Sequence, residues 1–148
     1  MLLATLALKA CSLLTSADIA AVQQQTPTEA RESASRRGEL DVGQCFYVLP
    51  TFTKSVSVEV ARGNVAGLME KARVQRGQEQ DEGEEHAVEP VKGLGDEAFW
   101  AGGARLGGLY VRRGDALLRF AIGGPENKAV KLKKLRRLAR KALARLPR

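Results

Sequence analysis

The segment of residues 54–61 constrains the fold most, because apolar and polar side chains alternate along it. Val56, Val58 and Val60 fall on one side, whereas Ser57 and Glu59 fall on the other. Alternate side chains of a β-strand point to opposite faces. The pattern therefore predicts a strand with one buried and one solvated face, which is typical of an antiparallel sheet.

The C-terminal residues 125–146 have the clearest helical pattern. Pro125 suits the first turn of a helix. On a helical wheel the apolar side chains share one arc of about 140°. These side chains are Leu132, Leu135, Leu138, Ala139, Ala142, Leu143 and Leu146. We therefore predict an amphipathic helix that packs its leucine side against the sheet.

Shorter patterns indicate the remaining elements. Thr15 and Asp18 have the spacing of a capping box, and Asn64 can cap a second helix. A chain of 148 residues is the size of one domain. We predict a single α+β domain in the order α-ββ-α-βββ-α, with an antiparallel sheet of five to six strands and the helices packed on one face. The predicted helices cover residues 15–24, 65–75 and 125–146, the predicted strands cover 40–49, 54–61, 96–101, 104–112 and 115–122, and residues 25–39 are an edge strand or a loop.

The positive charge of the chain is concentrated at its C-terminus. The formal net charge is +7, from 24 basic and 17 acidic residues, and residues 128–148 contain ten of the basic residues and no acid. The rest of the chain therefore has 14 basic and 17 acidic residues, or −3. The last helix can solvate these charges, lie on an anionic membrane, or neutralise nucleic-acid phosphates. The residues expected to bind an anion are Lys133, Lys134, Arg137, Arg140 and Lys141.

Little in the sequence supports metal binding or a cofactor. The one histidine, His86, lies in the acidic run of residues 77–86. We interpret this run as a solvated loop, with a calcium site as the alternative. Zinc sites draw on several His and Cys ligands, and the chain has too few. No cofactor is predicted.

The string GLGDEAFW at residues 93–100 is the most distinctive motif. It lacks the third glycine of a dinucleotide-binding motif, and a strand pattern follows it where a helix should begin. We expect its glycines to form a turn and Trp100 to pack in the core. The alternative is a ligand site formed by Asp96, Glu97 and Trp100. A small hydrolase using Asp96 or Glu97 is the least favoured function.

The N-terminus and the two cysteines leave several alternatives open. Residues 2–8 form a short apolar run, but no basic residues precede it and Lys9 does not suit lipidation of Cys11. We treat residues 1–10 as a signal remnant or an N-terminal extension, and residues 11–148 as the domain. Cys11 and Cys45 can be bridged or can remain buried thiols.

Two motifs resemble those of uncharacterised bacterial envelope proteins. The motifs are CSLLT at residues 11–15 and GLGDEAFW at residues 93–100, and the similarity covers roughly residues 11–145. The resemblance implies an exported α+β domain, often a lipoprotein, with a Cys11–Cys45 bridge and no known activity. We therefore expect a non-catalytic binding or structural module of the bacterial envelope, periplasmic or secreted, with a cytoplasmic location as the alternative. Its expected partner is a protein or a small ligand, and the alternative is an anionic membrane or nucleic acid.

Overall fold

The computed structural model describes residues 9–78 and 88–147, and these residues form one sheet and three helices. The predicted α+β class is therefore confirmed. Residues 1–8 of the predicted signal remnant, and residues 79–87 with His86 and most of the acidic run, lie outside the described residues. The strands are β1 (Glu29–Arg37), β2 (Leu40–Val48), β3 (Val56–Arg62), β4 (Glu89–Pro90), β5 (Glu97–Ala101), β6 (Gly108–Arg113) and β7 (Ala116–Ile122), and the helices are α1 (Ser16–Gln23), α2 (Ala66–Gln78) and α3 (Lys128–Arg145).

The sheet is antiparallel throughout its described strands, in the order β1-β2-β3-β7-β6-β5-β4. It has seven strands rather than the predicted five to six, because β1 and the two-residue β4 extend its edges. β1 pairs with β2 from Glu29↔Val48 to Arg37↔Leu40. All nine of its residues are exposed, which explains why its sequence shows no apolar period. Charged side chains on such an edge discourage pairing with other chains.

The alternating segment forms β3, which lies between β2 and β7 in the sheet. Val56, Val58 and Val60 are each at most 1% exposed. In register, Val58 lies between Cys45 of β2 and Phe120 of β7. The predicted buried face is therefore confirmed, and β2 and β3 pair as an antiparallel hairpin.

Helix α3 covers this buried face with its leucine side. Leu135 and Leu138, with the alanines beside them, are at most 1% exposed and join the same core as the valines. The helix begins at Lys128 rather than at residue 125. Asn127 is its N-cap, and the Asn127 side chain accepts a hydrogen bond from the Val130 amide at 3.0 Å. The cap fixes the start of the helix because it satisfies one of the free amides of the first turn.

Helix α2 packs on the opposite face of the sheet, so the prediction that all helices share one face is wrong for this helix. Val65 and Met69 form a second core with Phe99, Tyr110 and Leu117. These sheet residues alternate with those that face α3, so they point away from it. The helix over residues 65–75 was predicted, but its sequence did not indicate which face of the sheet it would cover.

The N-terminal segment is fixed to the sheet by a disulfide bond. Cys11 lies within a short 3₁₀ turn (Ala10–Ser12), and its sulfur is bonded to that of Cys45 in β2. The Cα atoms of the two cysteines are 4.9 Å apart. The Cys11 amide also donates to a carboxylate oxygen of Glu32 in β1 at 2.8 Å. The bridge that the resemblance implied is therefore present.

The capping box at the start of α1 also holds the end of α3. The Thr15 hydroxyl accepts from the Asp18 amide at 3.1 Å, and the Asp18 carboxylate accepts from the Thr15 amide at 2.9 Å. The same carboxylate accepts a hydrogen bond from the Arg145 guanidinium at 2.6 Å. The Asp18 side chain is only 10% exposed, so this ion pair is better shielded from solvent than an ordinary surface pair.

Replacing Asp18 by asparagine is expected to remove a pH-dependent part of the stability. Burial raises the pKa of Asp18, but the hydrogen bonds from Arg145 and Thr15 outweigh it, so the pKa lies below its ordinary value. A carboxylate whose pKa is lower in the folded state stabilises the protein above its unfolded pKa, and this contribution is lost as the pH falls through the folded pKa. We expect Asp18→Asn to lower the free energy of unfolding by about 1 kcal/mol at neutral pH and to leave it almost unchanged near pH 2.

Urea denaturation of both proteins at the two pH values measures this difference. Asp41→Asn is the control, because Asp41 makes an exposed ion pair with Arg36 at 3.5 Å. The control should change the free energy of unfolding by less than about 0.5 kcal/mol at neutral pH. An Asp18→Asn cost that persists undiminished in acid would contradict the assigned role of the ionised carboxylate.

Candidate anionic-surface interface

The cations of α3 divide into two groups, and the first group makes contacts within the protein. Lys134 donates to the Gln23 side-chain oxygen at 2.8 Å, and Arg136 donates to the Lys92 carbonyl at 2.9 Å. Arg145 binds Asp18 as described above, and Lys128 pairs with Glu89. These side chains connect the helix to α1 and to the chain around β4. Their charges are therefore already used in holding the fold together.

The second group forms a continuous cationic face on the outer side of α3. It consists of Lys133, Arg137, Arg140 and Lys141, and we call it the outer cationic face. All four residues are exposed, and no hydrogen bond or ion pair joins their side chains to any other described residue. Spacings of three and four residues place successive members on the same side of a helix. With a rise of about 1.5 Å per residue, the face extends for about 12 Å.

Lys134 was grouped with these four residues from the sequence, but it is turned away from them. Its side chain is 16% exposed, and its ammonium lies 3.4 Å from the Glu126 carboxylate as well as near Gln23. Burial raises the pKa of Glu126, but the nearby ammonium groups of Lys134 and Lys54 and a backbone hydrogen bond together outweigh it, so the net pKa lies below its ordinary value. The Glu126 carboxylate therefore remains ionised at neutral pH. The outer cationic face has four members rather than five.

The residues of the GLGDEAFW motif do not meet in one site. Trp100 is fully buried on the face that α3 covers, and its indole N–H donates to the Gly102 carbonyl at 2.7 Å. Glu97 points to the other face, where it pairs with Arg73 of α2. Strand residues an odd number of positions apart point to opposite faces, and the three-residue spacing therefore separates Glu97 from Trp100.

Asp96 holds the turn between β6 and β7. Its carboxylate accepts from the Gly114 amide at 2.7 Å and from the Arg112 guanidinium at 3.4 Å. Gly95 lets the chain approach closely here, because a Cβ at this position would lie 2.5 Å from the Arg112 carbonyl oxygen. The contacts of Asp96 thus account for a structural role beside the turn.

No group of three His, Cys, Asp or Glu side chains within residues 9–78 and 88–147 is arranged to hold a metal ion. The calcium alternative concerned the acidic run, of which residues 79–86 lie outside the described residues. The sequence-based calcium alternative therefore stays a prediction.

Two surface cavities were not indicated by the sequence. One, of about 270 Å³, lies on the solvated face of β2 and β3, beside Gln44, Phe46 and Glu59. The other, of about 600 Å³, lies beside Lys54, Arg105 and Lys131. Their lining residues are far apart in sequence, so no motif connects them. Each cavity borders one feature that is visible in the sequence. The first borders the polar side of β3, and the second borders the Gly-Gly-Pro turn, but neither feature by itself predicts a cavity.

The comparisons with known proteins give no further guide to the site. The chain matches no family model, no curated protein and no solved structure. The function must therefore be argued from the chemistry of the described surface.

Proposed function

We propose that this protein is a non-catalytic module of the bacterial envelope that binds anionic membrane lipid through its outer cationic face. The observation that carries the proposal is the division of α3 cations into two groups. Four neighbouring charges project to solvent without a described partner, while others on the same helix are held by carboxylates and carbonyls. Exposed cations near an anionic bilayer contribute about 1 kcal/mol each to binding.

The disulfide favours lipid over nucleic acid as the anionic partner. Stable disulfides are typical of oxidising compartments outside the cytoplasm. The resemblance to envelope proteins supports the same location. Within the described residues, no helix is both long and apolar enough to span a bilayer. From the disulfide and the resemblance we infer that the protein is periplasmic or secreted and that it contacts the membrane from that side.

The composition of the outer face indicates binding by charge rather than by insertion. Helices that lie within the interface place Trp, Phe or Leu against the acyl chains. The leucine side of α3 is buried against the sheet, where Leu135 and Leu138 are unavailable to lipid. Binding should therefore depend strongly on salt, because the Debye length falls from about 10 Å at 0.1 M to about 3 Å at 1 M.

Support for a hydrolase is weaker than support for a binding module. The two carboxylates considered for catalysis, Asp96 and Glu97, each make contacts with neighbouring elements. They belong to adjacent residues where β5 begins. Adjacent side chains there point to opposite sides, so the two carboxylates do not face each other. The proposed function therefore assigns them no chemical step.

The double variant Arg137→Gln/Arg140→Gln is expected to weaken binding to anionic vesicles about 30-fold, which corresponds to about 2 kcal/mol. Co-sedimentation with vesicles of phosphatidylglycerol and phosphatidylcholine measures the partition coefficient. Vesicles of phosphatidylcholine alone should bind weakly. Both side chains are exposed, so the variant should fold normally.

A matched control variant is Arg37→Gln/Lys71→Gln. It removes the same charge from two exposed cations that lie on β1 and α2. If binding follows the outer cationic face, this control should retain most of its affinity. Equal losses in the two variants would show attraction by net charge alone and contradict the proposal. Tight binding to duplex DNA without binding to anionic vesicles would replace lipid with nucleic acid as the partner.

A further inference from the structure

The surface cavity of about 270 Å³ lies on the face of the sheet opposite α3. It is lined by residues of β1, β2, β3 and β7, so strand side chains form its floor. Helix α2 and its core cover the neighbouring part of this face, at Val42 of β2 and Leu117 of β7. The cavity begins two residues further along the same strands, at Gln44 and Arg119. Its size is near the lower end of ligand sites, about 300 Å³, and therefore suits a small molecule.

Two oppositely charged side chains, Glu59 of β3 and Arg119 of β7, lie side by side in the floor of the cavity. They are directly opposite each other in the register of the two strands, so they share one face of the sheet. No hydrogen bond or ion pair joins them, and each is held by a different neighbour. The Glu59 carboxylate accepts from the Gln44 side-chain amide, and the Arg119 Nε donates to the Tyr110 hydroxyl at 3.0 Å. The cavity therefore offers a carboxylate and a guanidinium at neighbouring positions.

Both charged groups can make further hydrogen bonds. The Arg119 Cζ lies over the Tyr110 ring, 5.6 Å from its centroid, and this contact orients the guanidinium. The terminal amino groups of Arg119 have no hydrogen-bond partner among the described residues, and their planar fork matches the two oxygens of a carboxylate. One Glu59 oxygen accepts from Gln44, whereas the other has no described donor. A ligand with both a carboxylate and an amino group can use both sites.

The other charged residues at the cavity have partners of their own. Arg31 pairs with Glu29 at 3.1 Å, and the Glu32 carboxylate accepts from the Cys11 amide. The remaining two, Glu59 and Arg119, carry opposite charges, so the floor has no excess charge of either sign. A ligand with a single charge would be attracted by one of them and repelled by the other. The floor therefore favours a ligand that carries one positive and one negative group.

An aromatic surface lies beside the charged pair. Phe46 of β2 lines the cavity and is placed diagonally across from Glu59, a spacing that an aromatic side chain can reach across. The Phe46 ring contacts that of Phe52, with the ring centroids 5.8 Å apart, and the Phe52 side chain is largely exposed. Aromatic rings pack favourably against one another in tilted or offset arrangements. An aromatic group of a ligand can therefore pack here while its charged groups reach Glu59 and Arg119.

We propose that this cavity binds a free α-amino acid with an aromatic side chain. The ligand carboxylate accepts from the terminal amino groups of Arg119, the ligand ammonium donates to Glu59, and the ligand ring packs against Phe46. An α-amino acid carries its ammonium and its carboxylate on one carbon atom, which matches two protein groups at directly opposed strand positions. The site is on the face of the sheet opposite α3, so it does not depend on the proposed membrane binding.

Calorimetric titration of the full chain with L-phenylalanine tests the proposal. Three probes each lack one of its groups: 3-phenylpropanoate lacks the ammonium, 2-phenylethylamine lacks the carboxylate, and glycine lacks the ring. We expect each probe to bind at least about tenfold more weakly than L-phenylalanine. Arg119→Gln and Glu59→Gln should each raise the Kd for L-phenylalanine about tenfold, which is typical of a lost charge-assisted hydrogen bond.

Arg37→Gln and Glu39→Gln are the matched control variants, because they remove the same charges from exposed side chains at the end of β1 and in the turn after it, outside the cavity. Both should leave the Kd unchanged. Arg137→Gln/Arg140→Gln should also bind L-phenylalanine normally, which separates this test from that of membrane binding. Absence of saturable L-phenylalanine binding, or an unchanged Kd in either Arg119→Gln or Glu59→Gln, would overturn the proposal. Equal affinity for 3-phenylpropanoate and L-phenylalanine would overturn it too, because the ligand would then be a simple carboxylate.

Discussion

Replacing Cys11 and Cys45 by alanine is expected to lower the free energy of unfolding by about 4 kcal/mol. The bridge joins residues 34 positions apart in the sequence. Opening it releases a loop of that length in the unfolded chain, and the entropy of this loop favours unfolding. For a domain of this size such a loss is a large share of the total stability, which is typically 5–15 kcal/mol.

Loss of the bridge also affects the folded state, because fewer contacts then hold the N-terminal segment against the sheet. Cys45 is 1% exposed, and the neighbouring Tyr47 donates its hydroxyl to the Leu14 carbonyl at 2.9 Å. Burial raises the pKa of Tyr47 to about 12, so the hydroxyl keeps its proton at ordinary pH. Without the bridge, noncovalent contacts alone must hold the N-terminal segment, among them this hydrogen bond, the packing of Leu14 and the bond from the residue-11 amide to Glu32.

Urea denaturation with and without a thiol reductant measures the effect. The reductant should shift the wild-type midpoint towards that of the Cys11→Ala/Cys45→Ala variant and should leave the variant unchanged. Free-thiol counting on the unfolded, unreduced protein should detect no thiol. A wild-type midpoint that is insensitive to reduction, or two titratable thiols in native material, would contradict both the bridge and the inferred oxidising compartment.

Replacing Trp100 by alanine is expected to lower the free energy of unfolding by about 3 to 5 kcal/mol. The side chain is fully buried against the core that α3 and the valines form. Its removal leaves a cavity and also leaves the Gly102 carbonyl without its indole donor. Trp100→Phe should cost less, because it retains most of the ring volume and loses mainly the hydrogen bond, worth about 1 to 3 kcal/mol when its partner is buried.

Chemical denaturation followed by far-UV circular dichroism measures these variants, since Trp100 is the only tryptophan and its fluorescence is lost. Phe52→Ala is the control. Phe52 is 59% exposed and contacts Phe46 with ring centroids 5.8 Å apart, so its loss should cost less than about 1 kcal/mol. If Trp100→Ala kept normal stability and instead abolished ligand binding, Trp100 would belong to a ligand site rather than to the core.

Much of the fold could be predicted because side-chain periodicity reports which side of an element is buried. The alternation of β3 and the leucine arc of α3 gave their buried sides correctly. The edge strand β1 could not be identified with certainty. Its backbone pairs with β2 over nine residues while both of its faces remain in solvent, so no apolar pattern marks it.

The face of the sheet that α2 covers could not be predicted from the sequence either. Met69 and the preceding Val65 mark its apolar side, but both faces of the sheet offered apolar residues to cover. Phe99, Tyr110 and Leu117 provide the surface that it occupies, and they come from three different strands. Only the assembled sheet brings them together.

Patterns along the chain were sufficient to predict the α+β class, the buried sides of β3 and α3, and the concentration of positive charge in the last helix. These follow from local periodicity and composition, which are properties of neighbouring residues. The folded arrangement shows which cations of α3 are held by partners and which are exposed, and it places Lys54, Arg105 and Lys131 around one cavity. The physical reason is that hydrogen bonds and charge neutralisation depend on distances between residues far apart in the chain, and a one-dimensional pattern does not contain those distances.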